Sequence, residues 1–210
     1  MNEGILEEIK RLKNMADIGL LYANNQFDKD RYTELLAMSH RLLAKVSGND
    51  EDAIRSIFLP VTEYPTVKTD VRALVLSDDK KKVLLAKESV DGKWTLPGGW
   101  ADIGETPKEA TEKEVREETG LIVQAKKLLA VFDKRMHPHP PQPYYIYKLV
   151  FYCEAVSGEL ESGFDMLGAG FFDVDNLPEL STDRILESQI KLLYEKVMNN
   201  DFEAYFDQPS

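Results

Sequence analysis

The chain has 210 residues, 43% of them hydrophobic and 10% aromatic, and a formal net charge of -11 at pH 7. This length and composition predict a soluble globular protein of one large domain or two small ones. The acidic balance disfavours a broad nucleic-acid-binding face, because phosphate contacts need clustered Lys and Arg. No apolar run approaches the roughly 20 residues of a membrane span, so we expect no membrane insertion.

The single cysteine, Cys153, excludes an internal disulfide, and no basic stretch followed by an apolar core opens the chain. We therefore expect a cytoplasmic protein. Cys153 lies in an apolar run, which predicts a small buried side chain.

The N-terminal segment has the spacing of amphipathic helices. Apolar residues recur every three or four positions over residues 4–47, and the polar run Asp28–Asp30 is predicted to separate two helices. A third helix is predicted over Glu51–Phe58, ending before Pro60.

Pro65 marks a predicted linker, which divides the chain into a helical domain of residues 1–64 and a second domain of residues 65–210. Two or three short amphipathic helices are marginally stable alone. We therefore expect them to pack on the second domain or across a two-fold homodimer.

Beyond the linker the pattern changes to that of a mixed α/β domain. The first two strands are predicted to form a hairpin through Ser77–Lys80, and a last helix is predicted over Asp183–Met198. The predicted strands are Val71–Leu76, Lys82–Lys87, Lys93–Leu96, Ile122–Phe132, Tyr144–Ala155 and Gly170–Asp173.

The middle of this domain contains a helix with start and stop signals. Thr106 and Glu109 have the spacing of a capping box, Pro107 suits the first helical position, and Gly120 predicts the end.

Three glutamates, Glu114, Glu117 and Glu118, share one face of this helix. A solvated charged face would explain them, supported by possible i, i+4 pairs of Glu109 with Lys113 and Glu112 with Arg116. The preceding loop favours another interpretation, because Gly98, Gly99 and Gly104 give its backbone freedom. A glycine-rich loop beside clustered carboxylates predicts a site for Mg²⁺ or Mn²⁺.

These residues carry a family resemblance. Gly99, Glu105 and the segment Lys113–Leu121 have the identities and spacing of the Nudix box, with Lys113 standing where the family has Arg. The resemblance implies a Nudix α/β/α sandwich that hydrolyses a nucleoside diphosphate linked to another moiety, with bound metal ions polarising the diphosphate and activating water.

The resemblance also implies roles for individual residues. The implied metal ligands are Glu114, Glu117, Glu118 and the Gly98 carbonyl, with Glu105 and Lys113 in support. Because Lys offers a point charge in place of the planar guanidinium, the support at Lys113 should be looser than in the family.

Resemblance outside the box is to one Nudix subgroup, the bacillary CDP-choline pyrophosphatases. It covers residues 20–43, 94–105, 133–149 and 170–184. It implies cleavage of CDP-choline to CMP and phosphocholine. Alternative substrates are ADP-ribose, nucleotide sugars and RNA ends. A protein of another class, a non-catalytic nucleotide sensor, is the other alternative. Loss of box glutamates would favour the sensor, and this sequence has lost none of them.

The general base is left open. Many relatives have an acidic residue in the loop before the last strand, predicted here at residues 163–170. Gly168 stands where several relatives have Glu, so Asp165 is the local candidate, and a box glutamate is the alternative.

Weaker signals lie in residues 137–147. His137 and His139 have the spacing of a pair of zinc ligands. A substrate-contacting loop, or a rigid connection held by the neighbouring prolines, also explains them. Tyr145 and Tyr147, with Trp100, are candidates for stacking on cytosine or enclosing choline. Strand alternation separates Tyr144 from these two tyrosines, which predicts that at least one of the three is core.

Overall fold

The computed structural model describes residues 3–208 and divides into two compact units. The helical unit comprises the chain up to Val67 together with Pro141–Tyr144, and the mixed unit comprises Lys68–Pro140 and the chain from Tyr145 onward. The assignment of Pro141–Tyr144 to the helical unit has no counterpart in the sequence-based division at residue 64. Across residues 3–208, no helix combines the length and apolarity needed to cross a membrane.

The helical unit contains α1 (Glu3–Tyr22), α2 (Gln26–Ser47) and α3 (Glu51–Ile57). The predicted break at Asp28–Asp30 is wrong, because the Asn25 side chain caps α2 by accepting from the Asp28 N–H at 2.9 Å. Asp28 then lies in the first turn, where the helix dipole favours an acid. The core of this unit consists of Leu6, Ile9, Leu43, Ala44 and Ile54.

The mixed unit contains two sheets and two long helices. A four-stranded sheet has the order β1-β5-β4-β7, and a three-stranded sheet has the order β3-β2-β6. The elements are β1 (Lys68–Val75), β2 (Lys82–Glu88), β3 (Trp94–Thr95), α4 (Pro107–Thr119), β4 (Ile122–Asp133), β5 (Ile146–Ser157), β6 (Met166–Asp173), α5 (Glu187–Met198) and β7 (Tyr205–Phe206).

Alternation along the strands divides the core of this unit into two layers. Val115 of α4 packs in a cluster with Ala73 and Cys153, whereas Ile190 and Leu193 of α5 pack in a cluster with the neighbouring β1 residue Leu74. The arrangement is the expected α/β/α sandwich, with α4 and α5 in different clusters. Cys153 is buried, as predicted.

The predicted hairpin of β1 and β2 forms only at its turn, where the Lys80 N–H donates to the Ser77 carbonyl at 2.7 Å and the Ser77 N–H donates to the Lys82 carbonyl at 2.9 Å. β1 pairs in parallel with β5, β2 pairs with β3 and β6, and a single bridge joins Leu76 to Val83. The other edge of β1 is taken by the segment 97–101, where the Val71 N–H donates to the Gly99 carbonyl at 2.8 Å and the Ala101 N–H donates to the Thr69 carbonyl at 3.0 Å. The glycine loop is thereby fixed along β1.

Other element boundaries also differ from the predictions. β5 begins at Ile146, two residues later than predicted, and β6 begins at Met166, where its pairing with Glu88 starts. α5 begins after Leu186, whose N–H donates to the Gln189 side chain at 3.1 Å. The residues before α5 form a turn in which the Arg184 and Ile185 N–H groups both donate to the Ser181 carbonyl. The two-residue strand β7 has no sequence signal.

Candidate active site

Helix α4 carries the three glutamates and begins and ends as predicted. The Glu109 N–H donates to the Thr106 hydroxyl at 3.2 Å, and the Thr106 N–H donates to the Glu109 carboxylate at 2.9 Å. At the other end the Gly120 N–H donates to the Arg116 carbonyl at 3.0 Å, with Gly120 at φ 72°. Local capping therefore sets the residues at which α4 begins and ends.

The glycine loop lies directly against two of the glutamates. The Gly98 N–H donates to Glu118 Oε2 at 2.9 Å. Gly98 has φ 142°, and a Cβ there would collide with the Val71 carbonyl oxygen. A Cβ on Gly99 would lie 2.9 Å from Glu114 Oε2. Gly98 therefore requires glycine, whereas a side chain at Gly99 would displace the Glu114 carboxylate.

The three glutamates differ in their environment. Glu118 is buried, and burial raises its pKa to about 8, against the opposing charge of Arg72. Burial also raises the pKa of Glu114, with a contribution from the charge of Glu117. Glu117 itself is 54% exposed, with Oε1 lying 3.6 Å from Arg116 Nη2. The structure thus brings Glu114 and Glu118 together at the loop and leaves Glu117 beside Arg116.

The chemistry of this donor set fits a hard divalent cation. Within residues 3–208, no group of three or more His, Cys, Asp or Glu side chains is arranged to hold a metal ion. Glu114 and Glu118 are nevertheless carboxylates whose charged forms are disfavoured by burial and mutual repulsion, and a divalent cation would offset both effects. Completing a three-carboxylate site requires Glu117 to turn away from Arg116.

Lys113 joins the helix to the loop. Its Nζ lies 2.8 Å from Asp102 Oδ2 and 3.0 Å from Glu105 Oε2, and these bonds raise its pKa. The predicted pair of Lys113 with Glu109 does not form, because the loop carboxylates bind the ammonium. The other predicted helix pair is also wrong, since Glu112 accepts from the Ala125 N–H at 2.8 Å.

Sequence reasoning missed a further buried carboxylate, Glu88, at the end of β2. Glu88 Oε1 lies 2.6 Å from Arg184 Nε, and burial raises the pKa of Glu88, with smaller contributions from Asp91 and Asp165. Glu88 also contributes to the raised pKa of Glu118. A lone acid at a strand end carries no motif, so only its burial reveals it. Asp165, the candidate base, is exposed and directly precedes β6.

The two histidines bind separate partners. His137 Nε2 lies 3.0 Å from Asp207 Oδ1, and His139 Nδ1 donates to the Thr182 carbonyl at 2.7 Å. Burial lowers the pKa of His139 to about 4. The arrangement does not form a zinc clip.

The aromatic candidates are spread over several surfaces. Tyr147 of β5 is 44% exposed, Trp100 is 49% exposed with Lys68 Nζ 5.5 Å from its ring centre, and Tyr145 lies beneath Arg135. None of the three tyrosines is fully buried, so the prediction of a core tyrosine is wrong. Tyr144 and Tyr145 precede the strand, where alternation does not apply.

Tyr147 lines an open cavity of about 290 Å³ at the β7 side of the four-stranded sheet. The cavity combines aromatic, thioether and charged groups. Its lining residues are Val131, Asp133, Arg135, Met136, Tyr147, Phe206 and Asp207.

Two family models match the chain. The model described as the NUDIX domain matches residues 66–193, and the model described as a UDP-X-like, N-terminal oligomerisation domain matches residues 3–58. The chain is 37% identical to the putative ADP-ribose pyrophosphatase YjhB of Bacillus subtilis over 202 residues, covering 96% of each chain. It is 36% identical to an ADP-ribose pyrophosphatase of Methanocaldococcus jannaschii, covering 57% of this chain and 69% of that relative.

Solved structures similar to this chain also carry pyrophosphatase or diphosphatase names. A UDP-X diphosphatase aligns with a TM-score of 0.63 and 30% identity, covering 99% of this chain and 100% of the other. An ADP-ribose pyrophosphatase from Streptococcus suis aligns with a TM-score of 0.61 and 35% identity, covering 68% of this chain and 100% of the other.

Proposed function

We propose that the chain, which belongs to the Nudix family of hydrolases, cleaves the diphosphate of a nucleoside diphosphate linked to another moiety. The proposed reaction requires Mg²⁺ or Mn²⁺. The observation that carries the proposal is the convergence of the Glu114 and Glu118 carboxylates on the backbone of Gly98 and Gly99. The pyrophosphatase names of its relatives support the reaction type.

Each residue of the site has a proposed part in the reaction. Glu114, Glu117 and Glu118 would hold the metal with the Gly98 carbonyl, while Lys113 keeps the loop near α4 through Glu105. When bound, the metal would neutralise diphosphate charge and lower the pKa of a bound water. The Gly98 N–H keeps Glu118 aimed at the loop.

The proton acceptor is proposed from position. Asp165 is exposed and close enough to Glu88 to raise the pKa of that carboxyl, and Glu88 in turn acts on Glu118. Asp165 is therefore our candidate for the base that takes a proton from the attacking water, with a box glutamate as the alternative. Asp165→Asn distinguishes them: a loss of kcat with unchanged metal binding supports Asp165, and unchanged kcat excludes it.

For the moiety beyond the diphosphate, we propose ADP-ribose as the leading substrate. The B. subtilis relative that matches nearly the whole chain carries that name, as does the S. suis structure. Loops rather than the family box determine such specificity, so the proposal needs a direct test.

CDP-choline is the second candidate, and the cavity beside Tyr147 favours it. Tyr147 and Phe206 offer aromatic faces that suit a quaternary ammonium group, whereas the lining carboxylates Asp133 and Asp207 are already bound by Arg135 and His137. Trp100, His137 and Tyr145 remain proposed substrate contacts, whereas His139 is buried and bound to the Thr182 carbonyl, which favours a structural role for it. No relative reported above is named for CDP-choline.

The test is a substrate panel at fixed Mg²⁺ and again at fixed Mn²⁺. We would measure kcat/KM for ADP-ribose, UDP-glucose, CDP-choline and CDP-glycerol, with products resolved by chromatography. A tenfold preference, about 1.4 kcal/mol of transition-state discrimination, decides between ADP-ribose and CDP-choline. Binding of these conjugates without hydrolysis of any would instead support the non-catalytic sensor.

A further inference from the structure

Three buried charged side chains, Lys148 on β5 with Asp70 and Arg72 on β1, form a connected hydrogen-bond network. Lys148 Nζ donates to Asp70 Oδ2 at 2.9 Å. Asp70 also accepts from Arg72, from Nε to Oδ1 at 2.8 Å and from Nη2 to Oδ2 at 3.0 Å. All three side chains are less than a tenth exposed. Two cations thus hold one carboxylate inside the mixed unit.

The remaining guanidinium nitrogen of Arg72 connects this network to the glycine loop. Arg72 Nη1 donates to the Leu96 carbonyl at 3.0 Å. Leu96 is separated from Gly98 by Pro97, whose ring fixes φ and whose carbonyl accepts from the Ala73 N–H at 2.9 Å. Arg72 thus holds the chain two residues before Gly98, whose N–H donates to Glu118, and acts together with the backbone bonds of β1 to Pro97 and Gly99.

The choice of residues fits a positioning role. A guanidinium held by two bonds to Asp70 has a fixed plane, so its third bond has a fixed direction, whereas an ammonium would leave the direction free. Buried ion pairs add little stability over well-packed apolar groups of similar size, so stability alone is a weak reason for this one.

We propose that Arg72, held by Asp70 and Lys148, is a positioning residue that fixes the segment 96–99 and, through the Gly98 N–H, sets the Glu118 carboxylate for divalent-cation binding. The inference rests on the proposed function only in taking Glu118 as a metal ligand. It requires no particular substrate.

The test is Mn²⁺ binding to the full chain in the absence of substrate, measured by calorimetry and by the electron paramagnetic resonance signal of free Mn²⁺. Arg72→Lys keeps the charge and removes the fixed plane. Because partners that orient metal ligands are worth about 10- to 100-fold in affinity, we expect its Kd for Mn²⁺ to rise at least about tenfold. Lys148→Met, which leaves the pair of Asp70 with Arg72, should raise Kd less.

Asp17→Asn is the matched control. It breaks an equally buried ion pair, Lys13 with Asp17, in the helical unit. It should lower Tm while leaving the affinity for Mn²⁺ unchanged, which separates positioning from general loss of stability. The apparent Mn²⁺ activation constant should follow the Kd in each variant, with kcat at saturating Mn²⁺ recovering in Lys148→Met.

The proposal is overturned if Arg72→Lys has a native circular dichroism spectrum and binds Mn²⁺ as tightly as the parent chain. Should Arg72→Lys fail to fold, Asp70→Asn decides by the same criterion, because it removes one of the two oxygen acceptors that fix the guanidinium plane. Glu118→Gln identifies a failure of the ligand assignment itself, since it would then bind Mn²⁺ normally. Absence of hydrolysis with intact Mn²⁺ binding would contradict the proposed function alone.

Discussion

At the scale of single residues, the site depends on how closely backbone and carboxylates approach. Gly98 and Gly99 bring the chain against Glu118 and Glu114, and neither position has space for a Cβ without displacement of a neighbour. Burial and repulsion between Glu114 and Glu118 raise the energy of the metal-free fold, and under our proposal a bound divalent cation would offset both effects.

The role of Glu118 is tested by Glu118→Gln. Because metal binding supplies several kcal/mol of charge stabilisation, turnover should fall by about 10²-fold or more. The fold should persist, since Gln removes a repulsive charge and keeps an oxygen to accept from the Gly98 N–H. Steady-state kinetics with a thermal melt would check both points, and near-normal turnover would remove Glu118 from the ligand set.

Gly99→Ala tests the close approach. The new methyl group would lie 2.9 Å from Glu114 Oε2, so the carboxylate has to move, and we expect weaker Mn²⁺ binding and lower kcat with little change in Tm. Gly168→Ala is the control, because a Cβ there is 3.6 Å from the Trp94 ring, an ordinary contact. Equal activity of the two variants would contradict a tight loop.

His139 gives a pH dependence of stability. Its Nδ1 donates to the Thr182 carbonyl, leaving the buried Nε2 with no hydrogen-bond partner in the described structure, so protonation is unfavourable and the pKa is about 4. Because the unfolded pKa is about 6.5, the unfolded chain binds more protons and stability falls as pH drops through this window, by about 2 kcal/mol at pH 5.

His139→Asn should therefore flatten the decline of Tm between pH 7 and pH 5, even if its Tm at pH 7 is lower. Melts at both pH values would show this, with His40→Asn compared as a second buried histidine of lowered pKa in the helical unit. A parallel decline in His139→Asn and the parent chain would exclude His139 as the cause.

At the scale of elements, α4 and the loop before it act together through Lys113. One ammonium binds Asp102 and Glu105 of the loop, so the loop is held at the helix that carries the glutamates. The family has Arg at this position, and a guanidinium would suit two carboxylate partners equally well.

Lys113→Met should release the loop and lower kcat/KM, while Lys113→Arg should retain activity because it keeps both ion pairs. Since Lys113 is partly exposed, each pair is worth less than about 1 kcal/mol, so Tm should change little in either variant. Parallel kinetics on the two variants would check this. A similar loss in both would indicate that the loop responds to side-chain shape rather than charge.

The elements also separate what local sequence determines from what it does not. Both ends of helix α4 were predicted correctly because their signals are local in sequence. The residues that give these signals act on neighbours a few positions away; they are Thr106, Pro107, Glu109 and Gly120. The β1–β2 hairpin forms only at its turn because the edges of β1 bind β5 and the glycine loop, which are distant in sequence. Arg72 likewise lacks a local signal, since its role depends on Leu96 and Asp70 in the folded sheet.

At the scale of the whole molecule, the helical unit has more apolar surface than its own core uses. Leu35, Met38 and Leu42 lie at spacings of three and four on α2 and are 41%, 42% and 37% exposed. They form one stripe of the helix. Residues 3–58 match an N-terminal oligomerisation domain, and this stripe is our candidate for the surface that two copies of the chain would share.

We therefore expect the full chain to be a homodimer by light scattering at micromolar concentration, and Leu35→Glu to shift it towards monomer, since burying an unpaired carboxylate in an apolar interface is strongly unfavourable. Val90→Glu is the control, because Val90 is an 80% exposed apolar residue of the mixed unit. It should leave the mass unchanged. A monomeric parent chain would exclude the dimer, and a dimeric Leu35→Glu would place the interface away from this stripe of α2.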